Sequence, residues 1–474
     1  MIYRLLRAAI VTLASCAALT GFSFLVVHDP VEGLAPNLPG TDGRPEARPS
    51  GTEIKIGEFF RSFDGTPSAL TASWPRFRGS YMDNTSHESV PLVSPSAGWH
   101  PQELWTVELG EGHAGAAVAN GRVYVLDYDE RRQADSLRCF SLDDGKEIWR
   151  RWYTVRLKRN HGISRTVPAV DSRFVVTIGP SCIAMCCDAR TGELLWGADL
   201  PARFGGEVPL WYTGQCPLID GKQAVMAVGG NALLVGFDLP TGKVVWQTPN
   251  PSGLKTSHSS VMLATIQGTR TYVYAAIGGI VGVSAEPGNR GTLLWESRAF
   301  DATVIAPSPV VLGDGRVFVT AGYGAGSIML KVSHTGPTFT ARVLYRYGPA
   351  DGFACEHQTP LLYHGMLIGI LPKDAGPRRS ELACWDPAGR WVWSSGQTRR
   401  FGLGPYLIAD GKLVILNEDG VLWIAQASTE AFLPLGSAKI LPGPDAWAPM
   451  ALVSGRLIAR DSRRMVCVDL RGKG

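Results

Sequence analysis

Eight short segments of this chain carry side chains suited to binding. They are Gly112-His-Ala-Gly, Ser164-Arg-Thr-Val, Thr213-Gly-Gln-Cys, Thr256-Ser-His-Ser, Val304-Ile-Ala-Pro-Ser, Glu356-His-Gln-Thr, Arg400-Phe-Gly-Leu-Gly and Asp445-Ala-Trp-Ala. Each precedes a short apolar run. A repeat built only for packing would fill these places with small residues, yet His113, Arg165, Gln215, His258, His357, Gln358, Arg400 and Trp447 put hydrogen-bond donors and rings there. Gathered at one mouth of a fold, they would make the floor of a polar pocket. Arginine grips carboxylate and phosphate groups with two parallel hydrogen bonds. The run Arg156-Leu-Lys-Arg-Asn-His161 and the loop Gly206-Glu-Val-Pro-Leu-Trp-Tyr-Thr213 add cations and aromatics to the same face. That composition suits an anionic or sugar-like ligand, or a protein partner.

Catalytic and metal chemistry is less legible. Asp127, Asp129, Glu207, Asp301, Glu356 and Asp445 lie near turns, where acidic residues are usually solvated, and none sits in a catalytic motif. No local Ser/His/Asp motif, CxxC pair or Cys/His spacing points to a hydrolase, zinc or attached haem. No catalytic residue and no metal ligand is therefore assigned. The vicinal Cys186-Cys187 falls at a recurrent strand position: Cys139 and Cys186 each lie ten residues before a tryptophan, and Cys384 and Cys467 occupy similar points. A small, buried packing role is expected for them. Cys182, Cys216 and Cys355 remain open as disulfide partners in an exported chain. The net charge of +4 is small for 474 residues and shows no basic stripe, which argues against nucleic acid as a partner.

The elements that would position the eight segments are read from a repeat. Leu137-Arg-Cys-Phe-Ser-Leu-Asp-Asp-Gly-Lys-Glu-Ile-Trp149 recurs as Ile183-Ala-Met-Cys-Cys-Asp-Ala-Arg-Thr-Gly-Glu-Leu-Leu-Trp196 and as Leu234-Val-Gly-Phe-Asp-Leu-Pro-Thr-Gly-Lys-Val-Val-Trp246. Weaker copies end at Trp295, Tyr345 and Trp391 or Trp393, giving a period of about 46 to 50 residues, the length of one four-stranded blade. Each copy reads as strand, glycine turn and strand. Pro168, Pro217, Pro309, Pro360, Pro405 and Pro449 mark blade starts, and two more begin near Ala116 and Val261, so eight blades are expected. The last unit, Pro449 to Leu470, lacks a closing strand, whereas Glu103-Leu-Trp-Thr-Val-Glu-Leu109 is a closing strand without a blade. Their pairing would shut the ring and remove a sheet edge. The fold class is all-β, an eight-bladed β-propeller closed by an N-terminal strand.

Ahead of this domain (residues 73–474) stand a Pro/Gly-rich linker (31–72) and an export segment (1–30). Arg4 and Arg7 precede a charge-free run from Ala8 to Val27, long enough to cross a bilayer with its positive flank inside. An N-terminal transmembrane or signal helix is expected. Leu13-Ala14-Ser15-Cys16 also has the form of a lipobox, with Cys16 as the lipidated residue. A retained anchor, a cleaved signal and a lipoprotein all place the domain outside the cytoplasm, on the periplasmic side.

With strand, Asp-x-x-Thr-Gly turn and terminal Trp in place, the repeats resemble the pyrroloquinoline-quinone (PQQ)-like propeller family from about Trp74 to Leu470. Trp74-Pro-Arg-Phe-Arg-Gly79 is similar to a lead-in found in secreted bacterial members. The resemblance implies the blade. It leaves function open between quinoprotein dehydrogenases, which oxidise alcohols or sugars with PQQ and Ca²⁺, and protein-binding members such as the outer-membrane β-barrel assembly propeller. The dehydrogenases need a carboxylate base and a Glu, Asn and Asp calcium set that does not map onto this sequence. The expectation is a noncatalytic, membrane-tethered scaffold that binds protein or ligand in envelope assembly, without a cofactor. The alternative is a PQQ-dependent dehydrogenase with Ca²⁺.

Overall fold

The computed structural model describes residues 2–27, 53–336 and 338–472. Two compact units divide the chain, residues 1–43 and 44–474. The first contains an α-helix, Ile2–Val27, where the export segment was expected. Among the described residues no helix is long and apolar enough to cross a membrane. Of the linker expected over residues 31–72, residues 31–52 lie outside the described residues, and Phe59–Ser62 forms a strand that pairs antiparallel with the strand Glu147–Thr154.

The second unit holds eight antiparallel sheets, each with a meander of four strands. Their first strands are Ala117–Ala119, Ala169–Val170, Leu218–Asp220, Met262–Ile266, Val310–Val311, Leu361–Tyr363, Tyr406–Ala409 and Ala451–Val453, which define blades 1 to 8. Every expected start is met. Blade 8 takes its fourth strand from the other end of the domain: Gln102–Glu108 pairs antiparallel with Arg464–Asp469, with Trp105 opposite Cys467. This closes an eight-bladed β-propeller.

The core lies between blades. One cluster joins Val176, Ala184 and Cys186 of blade 2 to Ala224, Met226 and Phe237 of blade 3, all buried. Fully burying side chains of this kind stabilises the fold by roughly 1.5–3 kcal/mol each. Cys186 and Cys187 are successive strand residues opposite Val176 and Val175, so they point to opposite faces. Cys187 enters a different cluster from Cys186. All nine cysteines are free thiols, so the disulfide pairing left open for Cys182, Cys216 and Cys355 is not formed.

The repeat's Trp and Gly are one device. A Cβ on Gly192 of blade 2 would sit 2.7 Å from the ring of Trp149 of blade 1, and one on Gly242 of blade 3 would sit 2.5 Å from Trp196 of blade 2. Trp149 and Trp196 thus each cover the turn glycine of the next blade. The same glycines hold φ of 73° and 67°, which L-residues rarely adopt. Trp196 Nε1 donates to Leu239 O at 2.7 Å, and Trp105 of the closing strand repeats the bond to Leu142 O at 3.0 Å.

The lead-in Trp74–Gly79 and the residues after it form a plug across the channel. Trp74 exchanges two main-chain hydrogen bonds with Val118 of blade 1, and Pro75 O accepts from Val170 N of blade 2. Arg76 Nη1 donates to Ile219 O of blade 3 at 2.9 Å. Asn84 O accepts from Ile408 N of blade 7, and Thr85–Ser86 continues parallel to that blade's first strand. Innermost strands have an unpaired edge toward the axis, and the plug satisfies part of it. At its centre Arg78, 5% exposed, donates through Nε to Met82 O, through Nη1 to Thr359 O, and through Nη2 to Pro360 O and Asp83 O. Burial lowers its pKa to about 10, so it remains a cation.

Candidate functional site: an axial cup

Because each blade begins at the axis, the loops before the first strands converge there, and the plug closes the channel beneath them. The result is a cavity of about 260 Å³ with Phe77 of the plug in its lining. Six of the eight expected side chains line it: His113, Arg165, His258, His357, Gln358 and Trp447. Two are directed elsewhere. Gln215 clamps Ala227 within blade 3, donating to its O at 3.0 Å and accepting from its N at 2.6 Å, so the neighbours Gly214 and Cys216 line the cup instead. Arg400 donates to the carbonyl of Gln397 in its own loop and to those of Arg379 and Pro377 in a loop of blade 6, tying the two loops together, and Leu403 takes blade 7's place in the lining.

The lining side chains are held by neighbours from different blades. Gln358 Nε2 donates to His357 Nδ1 at 3.0 Å, to Trp447 O at 2.9 Å and to Leu403 O at 3.3 Å, tying blades 6, 7 and 8. His113 stacks on Trp447 with centroids 4.6 Å apart and planes 18° apart. Its Nε2 meets His161 O at 3.0 Å. Arg165 Nη2 donates to the carbonyls of Asn160, His161 and Gly162, at 2.8, 3.0 and 3.0 Å. At the rim Trp211 lies 5.5 Å from the exposed Tyr323.

Charge in the cup is uneven. Burial, and then the Arg165 charge, lower His258 to about 3. Burial, then Arg165 and Lys373, lower His357 to about 4. His113 is pushed well below the ordinary imidazole range by burial and then by Arg165. These three imidazoles are therefore neutral at pH 7, and Arg165 and Lys373 supply positive charge. Glu356 is the one carboxylate in the described lining, and its Oε2 accepts from Lys373 N at 3.0 Å.

Sequence reasoning did not find Lys373, Tyr323 or Phe77 as lining residues. Lys373 and Tyr323 lie after a blade's second strand, and Phe77 precedes all the blades; none carries the pre-strand signal. His161 and Trp211 came from the runs flagged beside the repeat.

Such a ring of four-stranded, Trp-closed blades is an eight-bladed β-propeller. Residues 133–347, somewhat less than half of the chain, match the family model described as "Outer membrane protein assembly factor BamB". The Moraxella catarrhalis BamB structure aligns with a TM-score of 0.50 at 14% identity, covering 78% of this chain and all of that one. The quinohemoprotein alcohol dehydrogenase of Comamonas testosteroni aligns at 0.57 and 13% identity, covering 85% of this chain and 81% of that one. A second quinohemoprotein alcohol dehydrogenase, from Pseudomonas putida, aligns at 0.54 and 13% identity with the same coverage. At these identities the likeness is one of fold. No curated protein sequence matches the chain.

Proposed function

We propose that this chain is a noncatalytic binding propeller, tethered to a membrane on its extracytoplasmic side, whose axial cup takes the ligand or inserted partner segment. The observation that carries this reading is the convergence of six side chains from five interblade loops on one cavity, among them a guanidinium whose hydrogen bonds all go to carbonyls. The match to the outer-membrane assembly family supports a protein partner in the envelope. Arg4, Arg7 and the apolar run after them support export, with Cys16 as a candidate lipid attachment point.

The dehydrogenase reading draws support from the shared fold. The cup's residues fit its Ca²⁺ poorly. Calcium takes six to eight oxygens, several of them from carboxylates. Glu356 is alone among two cations, and no metal-binding group occurs among the described residues. Cys186 and Cys187 lie in a buried strand, outside the cup lining, and burial raises Cys187 to about 12. Incubating the purified protein with PQQ and Ca²⁺ and following dye reduction with alcohols and sugars separates the two readings. No turnover is expected; quinone absorbance together with turnover would sink the scaffold. Photocrosslinking from the Tyr323 rim is expected to capture an envelope protein, and the cup-filling Ala306→Trp is expected to abolish that adduct.

A further inference from the structure

The outer strand of a blade leaves one row of main-chain groups open, and such a row pairs readily with another extended chain. Among the described residues, seven blades blunt that edge. In blades 2, 4 and 6 the outer strands Leu194–Asp199, Leu293–Ser297 and Arg390–Ser394 have six residues or fewer. Blade 3 ends its outer strand on Pro249, blade 7 carries Pro434 in its own, and blade 8 carries Glu103 and Glu108. Proline and charge both discourage pairing at an edge. Blade 1 has a longer outer strand, Glu147–Thr154, and the chain covers it with Phe59–Ser62, Phe59 lying opposite Trp152. Blade 5 does none of these.

Its third and fourth strands, Gly326–Thr335 and Thr338–Tyr347, have ten residues each. Tyr345 opposes Met329 beside a bulge, as Trp149 opposes Cys139 beside one in blade 1, so the residues beyond extend the hairpin past the point where the repeat turns. In this extension Thr338 to Val343 form an unbroken run opposite the third strand, and no strand pairs their other edge among the described residues. Phe339, Ala341 and Val343 pack on the cluster that holds Trp295 of blade 4, whereas Thr338, Thr340 and Arg342 are exposed. An added strand would therefore meet apolar neighbours on one face and Arg342 on the other. From Gly326 to Tyr347 the hairpin carries Lys331, Arg342 and Arg346 and no Asp or Glu. Lys331 donates to the Asp314 carbonyl and its charge acts on that carboxylate. Among the described residues no carboxylate pairs with Arg342 or Arg346. A second copy pairing edge to edge would bring the arginines of both together, and like charges across strands are destabilising, so charge favours an acidic occupant.

We infer that the edge Thr338 to Val343 is a docking site that takes an extended segment of a partner protein as a fifth strand of blade 5, the segment alternating apolar residues with acidic ones. This surface is separate from the axial cup. Three fluorescein-labelled peptides test it by anisotropy on the full chain in detergent: Thr-Val-Glu-Val-Glu-Val-Thr, its form with Lys for both Glu, and its form with Pro for the central Val. The first is expected to bind about tenfold tighter than the lysine form, as a few cross-strand charge pairs allow. The proline form keeps both carboxylates but cannot complete the ladder, and no binding is expected from it. Arg342→Glu, a change at an exposed position that the fold tolerates, should bring the acidic peptide down to the level of the lysine one. Adding the acidic peptide to the wild type should slow hydrogen exchange at the amides of Thr338 to Val343. Equal binding of the acidic and lysine forms, binding that survives the proline, protection elsewhere in the ring, or no binding at all overturns the inference. Concentration-dependent dimers protected at the same amides without peptide would give the edge to a second copy, and overturn it too.

Discussion

At the scale of single residues, the cup histidines couple stability to pH. His258 and His357 have folded pKa values of about 3 and about 4, against the ordinary 6.5 expected once the chain unfolds. Between these limits the unfolded chain binds more protons, so stability rises with pH through this window and is lost as pH falls from 6.5 toward 4. Carboxylates titrate in the same range, so the informative quantity is a difference. Urea midpoints of wild type and His258→Asn, measured at pH 7 and at pH 4.5, are expected to converge as pH falls, the variant losing less stability on acidification. Equal losses would mean that His258 is freely solvated. The same residues show how far sequence reaches. Pre-strand spacing pointed to His113, His258 and His357, which line the axial cup, because a propeller sends every such loop to one place. It could not tell that Gln215 turns back to clamp Ala227, since a side chain's rotamer is settled by the partners it meets.

At the scale of elements, the plug is the segment whose role sequence motifs understate. Trp74-Pro-Arg-Phe-Arg-Gly79 reads as a lead-in, yet it reaches the first strands of blades 1, 2 and 3, and Arg78 reaches the entry to blade 6. Arg78→Met keeps the bulk of the stem and removes the donors to four carbonyls, two of them buried. Breaking a buried polar network of this kind costs about 3 kcal/mol. A drop of that order in urea unfolding free energy is expected, along with weaker binding in the cup, because Phe77 lines it from the same segment. An unchanged midpoint would mean that the plug is only draped over the channel. The blades themselves were more legible, since alternating apolar residues, glycine turns and a closing Trp are local signals repeated many times. The cross-channel bonds of the plug are made between residues more than 100 positions apart and leave no periodic trace.

At the scale of the whole molecule, closure decides whether eight sheets behave as one body. Trp105 is 6% exposed, packs over Gly145 of blade 1 and sits opposite Cys467 of blade 8, so it joins the two ends of the ring. Trp105→Ala should cost roughly 3–5 kcal/mol, as for other buried aromatics cut to alanine. Hydrogen exchange should then quicken first in the strands of blades 8 and 1, on either side of the seam. Uniform acceleration around the ring would instead mean that the seam is no weaker than other blade contacts.

The sequence by itself determined the number of blades, the place of each start, the split final blade and the kind of side chain offered at the axis. Each follows from short-range chemistry: period-two burial, turns that need glycine, and a Trp that needs a neighbouring turn to cover. Only the tertiary structure decided that the channel is a closed cup, that Lys373, Tyr323 and Phe77 line it, and that Gln215 and Arg400 face away from it. Those outcomes depend on where distant loops meet and on which polar groups find partners there. The stack of His113 on Trp447 and the carbonyl cage around Arg165 exist only once the blades have closed around the axis.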